Sequence, residues 1–146
     1  MIYGAVGEQN NYVAGESFTF VIGAYGTNDQ LLPNYQAQIP QLKVTRVAPI
    51  GTGVNGDFKY SGASAKASNG LFSNTADISS STGGNHFVAG EYRFNQASYT
   101  EVGRIELDAK DLDYLGNEIL SNGMLTLGDF YPAYFDVALT VTPTLA

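Results

Sequence analysis

Apolar residues in this chain recur at every second position in short runs, and no long segment repeats them at i, i+3, i+4 and i+7. Period two is the repeat of a strand with one buried face, so a helical core has nothing to be built from. Phe18, Phe20, Ile22 and Ala24 share one face of a run over 17–25, with Thr19, Val21, Gly23 and Tyr25 on the other. Leu42 and Val44 alternate with Lys43 and Thr45, and Phe58 pairs with Tyr60. Tyr92 and Phe94 share a face of a strand running to Tyr99. Between 102 and 109 the pattern is cleanest, with Gly103, Ile105, Leu107 and Ala109 facing Val102, Arg104, Glu106 and Asp108. Leu125 and Leu127 lead into Phe130, and Phe135, Val137, Leu139 and Val141 form a last alternating run.

Turn signals separate these runs at roughly ten-residue intervals, and strands do not alternate with helices. The fold expected is all-β, an antiparallel Ig-like β-sandwich, in one module of 146 residues (1–146). That length can bury a core without staples, and the chain has no cysteine to supply any. Val13-Ala14-Gly15-Glu16 and Val88-Ala89-Gly90-Glu91 echo one another, each before a strand, as two equivalent strand entries would.

The stretch 61–86 differs from the rest. Sixteen of its 26 residues are Ser, Thr, Asn or Gly, which reads as long loops or a weakly patterned edge strand. Leu71, Phe72 and Ile78 are the groups expected to tack it to the core, and Asn69-Gly70 reads as a turn. It is expected to be the most mobile part and the first place for partner contact.

Charge narrows the function classes. Fourteen acidic residues against seven basic give a net charge of −7, which opposes binding to nucleic acid and to anionic membranes. No apolar run is long enough to insert in a bilayer as a helix. Met1-Ile2-Tyr3-Gly4 lacks the regions of a signal peptide, and 140–143 still reads as strand. We therefore expect an excised piece of a longer exported chain.

Candidate chemistry is sparse. His86, the one histidine, sits in a Ser/Gly/Asn loop without a nucleophile motif such as Gly-x-Ser-x-Gly. Glu101 and Glu106 fall on opposite faces of their strand, while Glu106 and Asp108 share a face as its solvent side. The best metal candidate is 111–118, where Asp111, Asp113 and Gly116 match part of a calcium-loop spacing. Leu115 and Asn122 stand where further ligands belong, so the segment is read as a polar turn. No catalytic, cofactor or metal site is assigned, and no enzymatic activity is expected. Ten tyrosines, Tyr131 and Tyr134 among them, fit core and corner positions of a sandwich better than a sugar platform.

Two blocks carry a resemblance. Ala14-Gly15-x-x-Phe18, Ala24 and Asn34-Tyr35 form the first. Tyr99-Thr100-Glu101-Val102-Gly103-Arg104-Ile105, Asp113-Tyr114-Leu115-Gly116 and Gly128-x-Phe130-x-Pro132-x-x-Phe135 form the second. Together they resemble the C-terminal β-rich domain of MshQ-type proteins of the MSHA (mannose-sensitive haemagglutinin) pilus system. Asp129 stands where that family usually has Arg, so an ion pair made by the Arg would be missing or reversed. The resemblance implies a non-catalytic structural or adhesion module, extracytoplasmic, with pilus or envelope proteins as partners. Glycans are the alternative partner, bound through surface tyrosines.

Overall fold

The computed structural model describes residues 2–3, 11–60, 66–67, 69–74 and 87–140. Among these residues there are eleven strands: β1 (Ile2–Tyr3), β2 (Tyr12–Val13), β3 (Phe18–Gly23), β4 (Pro40–Ala48), β5 (Asp57–Lys59), β6 (Lys66–Ala67), β7 (Asn69–Asn74), β8 (Glu91–Tyr99), β9 (Gly103–Tyr114), β10 (Asn117–Leu120) and β11 (Leu125–Tyr131). One sheet has the order β1-β3-β8-β5-β6 and the other β2-β11-β9-β4-β7, with β10 also on β9. No helix occurs among the described residues. The all-β sandwich is the fold that period two dictates. The pairing is antiparallel except that β2 lies parallel to β11, with Tyr12 opposite Phe130.

The core fills the space between the sheets. Phe20, Phe58, Phe94 and Tyr99 come from one side, and Leu42, Val44, Ile105, Leu107, Leu127 and Phe130 from the other. Aromatic rings dominate it: Phe20 and Phe94 stack at 4.1 Å between centroids, and Tyr60 meets Phe94 edge-on at 5.5 Å. Such pairs add to the stabilisation from burial alone.

Strict alternation fails once in β8, and a bulge explains it. Phe18 faces Ala97 while Phe20 faces Phe94, so β8 advances three residues where β3 advances two. The extra residue flips the parity. Phe94, Ala97 and Tyr99 therefore all point inward, although 94 and 99 are an odd number apart.

The repeated Val-Ala-Gly-Glu segments are both turns that feed strands. The Glu16 N–H donates to the Val13 carbonyl at 3.0 Å, and the Glu91 N–H to the Val88 carbonyl at 3.1 Å. They deliver β3 and β8, which pair with each other. The turns differ in type: Gly15 alone has positive φ in the first, whereas Ala89 and Gly90 both do in the second. A Cβ at Gly90 would stand 2.9 Å from the Leu32 carbonyl oxygen, but at Gly15 it would meet nothing within 4 Å. Gly15→Ala should cost roughly 1–2 kcal/mol through the left-handed backbone alone. Gly90→Ala should cost more, because backbone must also move; denaturant melts of both variants check the order.

Three expectations are corrected. Residues 132–140 form no strand, and Phe135, Val137 and Leu139 are 90%, 94% and 83% exposed, so no core face gathers them. Asn69-Gly70 lies inside β7, not at a turn. Thr45 faces Asn69 and Lys43 faces Phe72, so Gly70 sits at a bulge. Leu71 is exposed and does not tack that segment down, whereas half-buried Phe72 lies under the ammonium groups of Lys43 and Lys110, at 4.9 and 4.4 Å. β7 is the edge strand allowed for in 61–86; the rest of that stretch, apart from β6, lies outside the described residues, Ile78 and His86 included.

Candidate functional site

β9 continues past Ala109, and that extension builds a polar cluster that is buried in the sandwich. Residues 103, 105, 107, 109 and 111 share a face, so the fifth member, Asp111, enters the interior. It is 3% exposed. An ionised carboxylate is tolerated there only if donors surround it. The Tyr35 hydroxyl donates to Oδ2 at 2.8 Å and the Gln38 N–H at 2.9 Å. The Ile39 N–H donates to Oδ1 at 2.9 Å. The Leu112 N–H returns a bond to the Ile39 carbonyl at 2.9 Å.

These contacts fasten the chain where it crosses from β3 to β4. Gln36 adds a second clasp, donating to the Phe87 carbonyl at 2.7 Å and accepting from the Phe87 N–H at 3.0 Å. Phe87 meets the Tyr35 ring edge-on at 4.9 Å, and Tyr114 tilts against Tyr35 at 5.0 Å. Above this floor lies a cleft of about 510 Å³. Ala24, Tyr25, Leu32, Tyr114, Ile119 and Leu120 are among the residues that line it. It is mostly apolar with a few fixed polar groups, the usual make-up of a contact pocket.

The polar turn expected over 111–118 is confined to two residues, with strand on either side. Only Leu115 and Gly116, both at positive φ, turn the chain between β9 and β10. Both Asp111 oxygens accept from Tyr35 and backbone, and Asp113 accepts from the Gly116 N–H at 2.8 Å. Among the described residues no three His, Cys, Asp or Glu side chains gather as a metal site.

The remaining candidates are dispersed. Glu101 accepts from the adjacent Val102 N–H. Glu106 lies on the outward face of β9 with Asp108, which pairs with Lys43 at 3.9 Å and accepts from Ser121. Asp129 takes Arg104 as partner at 2.7 Å, so an ion pair is present here with the acid on β11 and the Arg on β9. Tyr60 and Tyr99 are buried, whereas Tyr131 at the end of β11 and Tyr134 in the segment after it are exposed, outside the core expected for them. The tyrosines that bear on a site are Tyr25, Tyr35 and Tyr114 around the cleft.

Burial first, then the hydrogen bond to Asp111 and the charges of Asp111 and Tyr114, push the Tyr35 hydroxyl far above the ordinary phenol range. A raised folded value favours the neutral form. Its stabilisation is complete below the unfolded phenol pKa of about 10 and is lost as pH rises beyond it. Tyr35→Phe should cost roughly 1–2 kcal/mol at neutral pH, since three backbone donors, the Gln38, Ile39 and Asp113 N–H groups, remain on Asp111. The same variant should flatten the alkaline loss above about pH 10. Urea melts at both pH values measure both effects.

No curated protein and no solved structure matches the chain. A family model described as DUF6701, third domain, matches residues 101–146, about a third of the chain, and this stretch holds β9, β10, β11 and the exposed tail.

Proposed function

We propose that this chain is a non-catalytic structural and interaction module of a bacterial surface or pilus-associated protein of MshQ type. It works outside the cytoplasm and contacts pilus or envelope proteins. One observation carries the interaction part of the reading: a largely apolar cleft between the sheets, at the end where Asp111 anchors the β3–β4 crossing. An apolar recess with a buried polar floor suits recognition of another chain. The low content of charged side chains, 14%, suits a crowded surface assembly as well.

The test is Leu120→Glu in the parent protein in its own cell. Leu120 is 66% exposed, so the change should leave the fold intact and place a charge at the cleft. The expected result is impaired surface-fibre assembly or adhesion with unchanged protein level. Unchanged assembly and adhesion would contradict the reading. A second reading, carbohydrate binding, draws on the Tyr25, Tyr35 and Tyr114 rings around the cleft. Glycan-array binding that Leu120→Glu abolishes would favour it.

A further inference from the structure

The exposed tail and the cleft lie at opposite ends of one strand. β11 runs antiparallel to β9, with Leu125 opposite Leu107 and Phe130 opposite Gly103. The chain therefore leaves the sandwich at the Gly103 end. The cleft opens at the other end, against Ala109, Asp111 and Tyr114. The eight residue steps from 103 to 111 along the strand separate them by roughly 26 Å. From Pro132 the tail starts beyond the far end and away from its own cleft.

The tail is built as a strand that has found no sheet. Every residue from Tyr131 to Thr140 is exposed. Phe135, Val137 and Leu139 would share one face if extended, with Asp136, Ala138 and Thr140 opposite. The cleft rim supplies what such a strand needs. Ile119 and Leu120 are exposed apolar groups at its edge. Among the described residues, β10 pairs with β9 alone, so its outer backbone edge is open to one more strand.

We propose that residues 132–140 of one copy dock in the cleft of a second copy. The tail adds a strand along β10 and directs Phe135, Val137 and Leu139 inward. Backbone bonds hold the strand and alternate side chains set its register. The donor and acceptor surfaces differ, so the contact is heterologous and propagates head to tail into an open chain of modules. It rests on reading the chain as an interaction module, and names the partner as another copy.

Sedimentation velocity on the full chain tests this. The wild type should associate with rising concentration, between about 10 µM and 1 mM for so small an interface. Two variants should each stay monomeric: Phe135→Ser/Val137→Ser/Leu139→Ser, which keeps a free cleft, and Leu120→Glu, which keeps a free tail. All four positions are exposed, so folding is spared. Mixed together, the two should form a capped dimer, with affinity within about tenfold of the wild-type contact. A wild type monomeric at 1 mM, a tail variant that associates like wild type, or a mixture that stays monomeric would each overturn the proposal. A monomeric wild type would leave the cellular Leu120→Glu result to decide on its own whether the cleft serves another protein.

Discussion

Asp111→Ala is expected to be among the most damaging single changes in the molecule, costing roughly 3–5 kcal/mol. The substitution removes a buried acceptor that takes four donors: the Tyr35 hydroxyl, the Gln38 and Ile39 N–H groups and, at a longer 3.4 Å, the Asp113 N–H. Each buried donor left without a partner costs on the order of 1–3 kcal/mol, although water entering through the cleft offsets part of that. A typical domain has only about 5–15 kcal/mol to lose. Asp111→Asn keeps one acceptor oxygen but turns the other end of the group into a donor facing a donor, so it should fall between wild type and Ala. Urea unfolding of the three proteins gives the ranking. An Ala variant within about 0.5 kcal/mol of wild type, the range of an ordinary surface change, would show that the carboxylate does not hold the β3–β4 crossing.

Leu107→Ala is the second large effect, at roughly 2–5 kcal/mol. Leu107 is fully buried on the central strand of its sheet, opposite Val44 on one neighbour and Leu125 on the other. Strands on both sides restrict how far the site can collapse, which keeps the cavity open. Glu106, one residue earlier, faces outward between Thr45 and Thr126. Its replacement by Ala should stay within about 0.5 kcal/mol. Equal costs at 106 and 107 would mean that the strand register is wrong.

Period two made the sandwich legible because each face of a strand sees one environment throughout. Where that condition breaks, reading the sequence fails in identifiable ways. The bulge in β8 changes parity within a strand, and nothing in Phe94-Asn95-Gln96-Ala97 announces it. At Phe135, Val137 and Leu139 the alternation is genuine, yet no neighbouring strand receives it, since pairing is a property of the sheet and not of the run. Asn69-Gly70 suggested a turn, but a bulge uses the positive φ of Gly70 as well as a turn does.

The site was half legible. Asp111 has the parity of Ile105, Leu107 and Ala109, so extending the alternation two residues would have placed it inside. Its acidic character and nearby Gly116 drew the eye to turn chemistry instead. Its partners are beyond any local signal. Tyr35 is 76 residues away, and the Gln38 and Ile39 donors are backbone groups of any sequence. The cleft depends on how the 24–32 segment and β10 approach, which only the packed sheets determine.

The central claim, that the cleft is a contact surface for an apolar strand, is tested most directly by methyl NMR. The labelled chain would carry Phe135→Ser/Val137→Ser/Leu139→Ser, so that its own tail cannot compete. A peptide with the wild-type sequence of residues 131–140 is then added. Saturable shifts are predicted at Ala24, Leu32, Ala109, Ile119 and Leu120, which line the cleft. Val13 and Ala48, near the opposite end of the sandwich, should stay still. Absence of shifts at about 1 mM peptide, or shifts centred on Val13 and Ala48, would contradict the claim.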